Sequence, residues 1–129
     1  KNAISLNGRS LTLNQAELIA LGHPIKINPN TLKQVLKSRE FIKTLLSTES
    51  PHYGVNTGFG YLANQKISPE ALKTLQLNLL KSHAAGFGAP LSIPQTRLSM
   101  TLRLNVLLKG HSGTSIQLCQ KLEEFINMT

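Results

Sequence analysis

The segment Tyr53-Gly54-Val55-Asn56-Thr57-Gly58-Phe59-Gly60 places a phenol beside three glycines. Glycine lets other backbone or a ligand approach closely, so this stretch could present a phenolic acid–base group to a small molecule. A phenol with an ordinary pKa of about 10 serves as a base near neutral pH only when positive charge or hydrogen-bond donors lower it. Helix N-termini converging on the loop would supply such a field. On residue chemistry alone, Tyr53 more simply covers an apolar edge at the mouth of the loop. Further along, Ser82-His83 ends a helical stripe and runs into Ala84-Ala85-Gly86-Phe87-Gly88. His83 offers an imidazole for proton transfer or ligand contact, although as the last member of that stripe it reads by default as a satisfied core histidine.

The remaining reactive side chains point to no second chemistry. His23, His52, His83 and His111 include no pair at the three- or four-residue interval that sets two ligands on one helical face, so no metal site is expected. His111 reads as a capping or dipole-facing residue, His23 as a loop residue and His52 as a structural neighbour of the glycine loop. Cys119 falls between Ile116 and Leu122 on an apolar stripe and reads as a buried, inert thiol. Gly58-Phe59-Gly60-Tyr61-Leu62-Ala63 fits a dinucleotide-binding pattern in letters only. No strand precedes it, and no acid occurs between residues 71 and 109. Gly110-His111-Ser112-Gly113-Thr114-Ser115 lacks a phosphate-loop lysine and reads as a helix stop followed by a helix start.

Helices must position these groups. Asn14 with Glu17 predicts a capping box opening a short helix that Gly22 and Pro24 end. A longer helix starts at Asn28-Pro29, carries Leu32, Val35, Leu36, Ile42, Leu45 and Leu46 on one face, and ends before Pro51. Periodicity then fails up to about residue 66, as expected of a loop. Ser68-Pro69-Glu70 opens the next helix, with Leu72, Leu75, Gln76, Leu79, Leu80 and His83 on its buried face. Another runs from about Pro94, with Met100, Leu104, Leu107 and Leu108 inward, and a last one carries Ile116, Cys119, Leu122, Phe125 and Ile126. Near the start, apolar residues alternate on both sides of Asn7-Gly8, which predicts a short β-hairpin. The expected fold is mainly α, as one domain over residues 1–129.

Composition agrees with that class. The sequence is 40% hydrophobic with no Trp, as suits a Leu-rich helical protein. Its uncharged runs are too short to span a membrane, and no apolar signal core follows Lys1. A single cysteine excludes an internal disulfide and favours a reducing, cytoplasmic setting. The net charge of +8 raises a nucleic-acid reading, but the basic residues are scattered with no run of three, so no nucleic-acid partner is expected.

The two motifs and their companions resemble the N-terminal part of the aromatic amino acid ammonia-lyases. The companions are Leu75-Gln76-x-Asn78-Leu79, Gly88-x-Pro90-Leu91, Arg97-x-x-Met100-x-x-Arg103 and Gly110-x-Ser112-Gly113, so the likeness extends across nearly the whole chain in the right order. The resemblance implies a helical N-terminal domain that stops before the family's long-helix bundle. It implies Tyr53 as catalytic base, removing a β-proton while ammonia leaves, with Gly54, Asn56, Thr57, Gly58, Phe59 and Gly60 forming the active-site loop. It implies Ser82 and His83 as substrate-binding residues. Phenylalanine- and tyrosine-directed members resemble Phe-Leu and His-Leu at that pair, whereas Ser-His, together with Asn56, resembles members acting on L-histidine to give trans-urocanate. The family's electrophile is a methylidene-imidazolone formed from an Ala-Ser-Gly triplet, which this sequence lacks. The isolated chain is therefore expected to be an inactive part of a homotetrameric enzyme. The alternatives are a tyrosine or phenylalanine ammonia-lyase, an aminomutase of the same family, or a non-catalytic basic helical binding module.

Overall fold

The computed structural model describes residues 2–60, 64, 65 and 67–128. Its elements in chain order are β1 (Ile4–Leu6), α1 (Leu13–Ala20), β2 (Ile25–Ile27), α2 (Pro29–Leu46), α3 (Pro69–His83), α4 (Ile93–Leu107) and α5 (Ile116–Met128). They form two compact units, one of Lys1–Phe41 with Pro90–Thr129 and one of Ile42–Ala89. The mainly helical class matches expectation, but the β element does not.

No hairpin forms at Asn7-Gly8. β1 pairs in parallel with β2, Ile4 opposite Ile25 and Leu6 opposite Ile27, with α1 as the crossover. The turn signal at Asn7-Gly8 has another cause. The Asn7 side-chain oxygen accepts from the backbone N–H groups of Arg9 and Ser10, both at 2.9 Å, making a local side-chain turn. Gly8 has φ +79°, and a Cβ there would lie 2.8 Å from the backbone of Leu108 and Lys109. Glycine is needed for close packing on the end of α4, and a strand does not follow. Leu13, the last of the alternating apolar residues after Asn7-Gly8, begins α1 and is 89% exposed.

Helix starts follow the expected chemistry with one shift of register. The capping box of α1 is Thr12 with Gln15 rather than Asn14 with Glu17. The Thr12 hydroxyl accepts from the Gln15 N–H at 3.2 Å, and the Gln15 side chain accepts from the Thr12 N–H at 3.1 Å. Ser92 and Gln95 repeat the device at α4. Asn28 accepts from the Asn30 N–H beside Pro29 at the start of α2.

In the first unit α4 packs between α1 and α5, and α5 also packs on β2. Their shared core includes Leu6, Ile19, Ile25, Ile27, Leu104, Leu108 and Ile126. Cys119 is fully buried in it, and burial pushes its thiol pKa up, against any nucleophilic role. Among the described residues β2 has one strand partner, so its other edge needs hydrogen bonds from elsewhere. α5 supplies them. Asn127 accepts from the Ile25 N–H at 2.9 Å and donates to the Ile25 carbonyl at 3.1 Å, while Glu123 accepts from the Ile27 N–H at 2.7 Å.

Arg97 of α4 lies at the centre of this unit and is 2% exposed. Its Nε donates to the Ile19 carbonyl at 2.8 Å, its Nη2 to the His23 carbonyl at 3.0 Å, and its Nη1 to the Ile126 carbonyl. Ile19 and Ile126 lie in the last turns of α1 and α5, where the helix dipole is negative, and His23 lies in the turn that follows α1. One side chain thus joins three helices.

In the second unit, Ser68 caps α3 by accepting from the Ala71 N–H. Hydrogen bonds from its own backbone and from Ser68 hold the Glu70 carboxyl below the usual carboxylate range. The expected buried face of α3 is only partly realised. Leu72, Leu75 and Leu79 are half-buried, whereas Gln76, Leu80 and His83 are exposed. The expectation that His83 sits in a core is corrected accordingly. Leu75 and Leu79 lie on the shielded stripe, while the His83 side chain extends past it at the helix end.

Replacing Arg97 with Met leaves the carbonyls of Ile19, His23 and Ile126 without this donor. We expect a loss of about 3 kcal/mol or more in urea unfolding; a loss below about 1 kcal/mol would contradict the tie described here.

Candidate active site

The glycine-rich loop is held from its interior by polar side chains. The Asn56 side-chain oxygen accepts from the His52 N–H at 2.7 Å, and its amide donates to the Ser50 carbonyl at 3.0 Å. The backbone N–H groups of Val55 and Asn56 both bond the His52 carbonyl, closing a tight turn around Tyr53 and Gly54. Across the loop, the Ile67 N–H donates to the Asn56 carbonyl at 2.9 Å and the Gly58 N–H to the Gln65 carbonyl at 3.1 Å. Asn56 and Thr57 are 2% and 1% exposed, so their side chains shape the loop and do not face solvent. The Thr57 hydroxyl donates to the Gly58 carbonyl. Gly54 and Gly60 take φ of +73° and +58°, conformations that L-residues rarely adopt. Residues 61–63, the remainder of the dinucleotide-like pattern, lie outside the described residues.

His52 anchors the start of the loop. The Thr48 hydroxyl donates to the Leu45 carbonyl at 2.7 Å, so its 3.1 Å contact with His52 Nε2 is an N–H donation from the ring.

Tyr53 projects from this scaffold and is 67% exposed. The Phe59 ring meets it edge to face, with centroids 6.1 Å apart and planes at 79°. The contact fixes the direction of the phenol while leaving its hydroxyl without a hydrogen-bond partner among the described residues. An exposed phenol on a braced turn can give or take a proton from a bound molecule.

Ser82 and His83 sit at the end of α3, both exposed. The Ser82 hydroxyl donates to the Leu79 carbonyl at 2.9 Å. His83 Nδ1 lies 3.0 Å from the same carbonyl and 2.9 Å from Ser82 Oγ. Nε2 of His83 has no partner among the described residues. Tyr53 and His83 belong to the same unit, but no hydrogen bond or ring contact links them among those residues.

The first unit holds a separate feature that the sequence did not reveal. Arg9, Lys37, Lys109 and His111 line an open cleft of about 570 Å³ with Phe41 and without a carboxylate. Its basic residues come from distant positions, so no charge run marks it. Among the described residues no group of three His, Cys, Asp or Glu side chains could hold a metal, and no helix is long and apolar enough to cross a membrane.

Comparison with known proteins gives this arrangement its context. The family model for aromatic amino acid lyase matches residues 11–129. The chain is 37% identical over 125 residues to a histidine ammonia-lyase of Staphylococcus saprophyticus, covering 96% of this chain and 25% of that relative. It superposes on the ergothioneine-degrading enzyme ergothionase of Treponema denticola with TM-score 0.92 at 30% identity, covering 98% of this chain and 26% of the other. Tyrosine aminomutase from Streptomyces globisporus gives TM-score 0.90 at 28% identity, covering 98% and 24%. The chain therefore spans about a quarter of the length of these relatives. The same fold carries three differently named activities, so the fold alone does not choose a substrate. With the Tyr53 loop and the Ser82-His83 helix end inside the matched region, this chain belongs to the aromatic amino acid lyase family.

Proposed function

We propose that this chain contributes a catalytic base and a substrate-reading pair to a lyase that converts L-histidine into trans-urocanate and ammonia. The observation that carries the reading is an exposed phenol on a braced loop and an exposed imidazole at a helix end within one unit. Identity of 37% to a histidine ammonia-lyase supports histidine as the substrate. In this reading Tyr53 removes the substrate β-proton, because an unactivated carbon acid requires a positioned base. His83 contacts the substrate imidazole, and the loop of residues 54–60 shields the reacting centre from water.

The family's electrophile, a methylidene-imidazolone, supplies the chemistry that makes ammonia a leaving group. No Ala-Ser-Gly triplet occurs among these 129 residues, so none of them forms that group and no step through it is derived. The 129-residue polypeptide alone is accordingly proposed to be inactive. A homotetramer of the complete polypeptide is the proposed assembly, supported by apolar side chains left uncovered here, among them Leu77, Leu80 and Phe87. The lone, buried cysteine supports a cytoplasmic setting.

A second reading, a tyrosine-directed lyase or aminomutase, is favoured by the likeness to tyrosine aminomutase. The Ser82-His83 pair disfavours it. The basic cleft is what favours a non-catalytic binding module, and the absence of a charge run or stacking aromatics beyond Phe41 weighs against nucleic acid there.

In the complete polypeptide, Tyr53→Phe is expected to lower kcat for L-histidine at least about 100-fold with an unchanged thermal melt. Turnover within a few-fold of the parent would remove Tyr53 from proton transfer. His83→Leu is expected to lower kcat/KM for L-histidine about 10- to 100-fold more than for L-tyrosine. Equal losses on both substrates would refute its role in substrate choice.

A further inference from the structure

The hydrogen bonds at the end of α3 bear on which face of His83 a substrate meets. A carbonyl oxygen can only accept, so the 3.0 Å contact between His83 Nδ1 and the Leu79 oxygen is a hydrogen bond only when Nδ1 carries a proton. The single hydroxyl proton of Ser82 goes to that same oxygen at 2.9 Å. The lone pairs of Ser82 Oγ are then free to accept from Nδ1, 2.9 Å away. Every contact is satisfied when the proton sits on Nδ1. With a bare Nδ1, its lone pair would oppose that of the Leu79 oxygen at 3.0 Å, and Ser82 would have to divide one proton between two acceptors.

We propose that Ser82 is a positioning residue, which with the Leu79 carbonyl holds neutral His83 in its Nδ1–H form and leaves the Nε2 lone pair to accept from a substrate ring N–H. The hydrogen bond at one ring nitrogen sets the tautomer and therefore the character of the other. In this role Ser82 acts through His83. The arrangement also favours an imidazole over a phenyl ring. A neutral imidazole substrate has one ring N–H to donate, whereas the phenyl ring of phenylalanine has none, and an acceptor covered by a bound ring and left unpaired is costly. The proposal rests on His83 being the residue that meets the substrate ring, as set out above.

The test uses the complete polypeptide labelled with 15N-histidine, with the His83 signal assigned by difference against His83→Gln in solid-state spectra. The parent protein at a pH where His83 is neutral is expected to show the proton on Nδ1. Ser82→Ala is expected to move population to the Nε2–H form and to raise KM for L-histidine about 3- to 10-fold, with a smaller change in kcat. Ser82→Thr, which keeps the hydroxyl, is expected to restore both. A parent spectrum dominated by the Nε2–H form, or a Ser82→Ala spectrum unchanged from the parent, would overturn the positioning role of Ser82. A tautomer shift without any change in KM would leave the Nδ1–H assignment standing and overturn the contact between His83 and the substrate. An equal thermal melt for the three proteins separates these outcomes from a loss of fold.

Discussion

A guanidinium enclosed among backbone carbonyls sets the geometry of the first unit. Arg97 reaches the ends of α1 and α5 and the turn at His23 from a fully buried position on α4. Removing a charge from water is costly unless its hydrogen bonds are replaced, and helix C-termini supply partners with the right sign. Alternative packings of α1 or α5 would strip acceptors from that charge, which makes the observed packing specific as well as stable. The consequence reaches the sheet. Ile126, which Arg97 holds, is followed by Asn127, whose side chain completes the open edge of β2.

The second unit is built differently. None of the described residues of α3 is fully buried, and the loop before it depends on hydrogen bonding rather than on apolar burial. Asn56 is its central part, a buried amide whose donor and acceptor both bond the backbone. Such a scaffold can hold a reactive group outward. Tyr53 is directed by Phe59, and His83 by Ser82 and the Leu79 carbonyl. In both cases a neighbour orients the ring and leaves the outer polar atom without a partner among the described residues, as the proposed roles require.

Signals that act within one turn of helix were legible in the sequence. Ser68 caps a helix, Pro29 and Pro69 sit in first turns, and Leu104, Leu107, Leu108, Cys119 and Ile126 are buried, because these outcomes depend on local sterics and spacing. Phe125, of the same stripe as Cys119 and Ile126, is nevertheless exposed. Longer-range outcomes were not. β2 is three residues long and its partner lies on the far side of α1, so Ile25-Lys26-Ile27 carried too little pattern to be seen. Asn7-Gly8 looked like a hairpin turn because close packing against another backbone and a tight turn both require glycine. The loop stood out by its glycines, but the burial of Asn56 and Thr57 did not, since polar residues among glycines ordinarily face water. His83 appeared to continue a buried stripe because periodicity shows which residues share a face and not how far along the helix that face is covered.

Substrate choice is the property that the shared fold leaves open. The most direct measurement incubates the complete polypeptide with L-histidine, L-tyrosine and L-phenylalanine in parallel while following the ultraviolet absorbance of the unsaturated acids. Urocanate from L-histidine is expected, with no coumarate or cinnamate at comparable rates. Coumarate or cinnamate without urocanate would contradict it, keeping the family and overturning the role assigned to the Ser82-His83 pair.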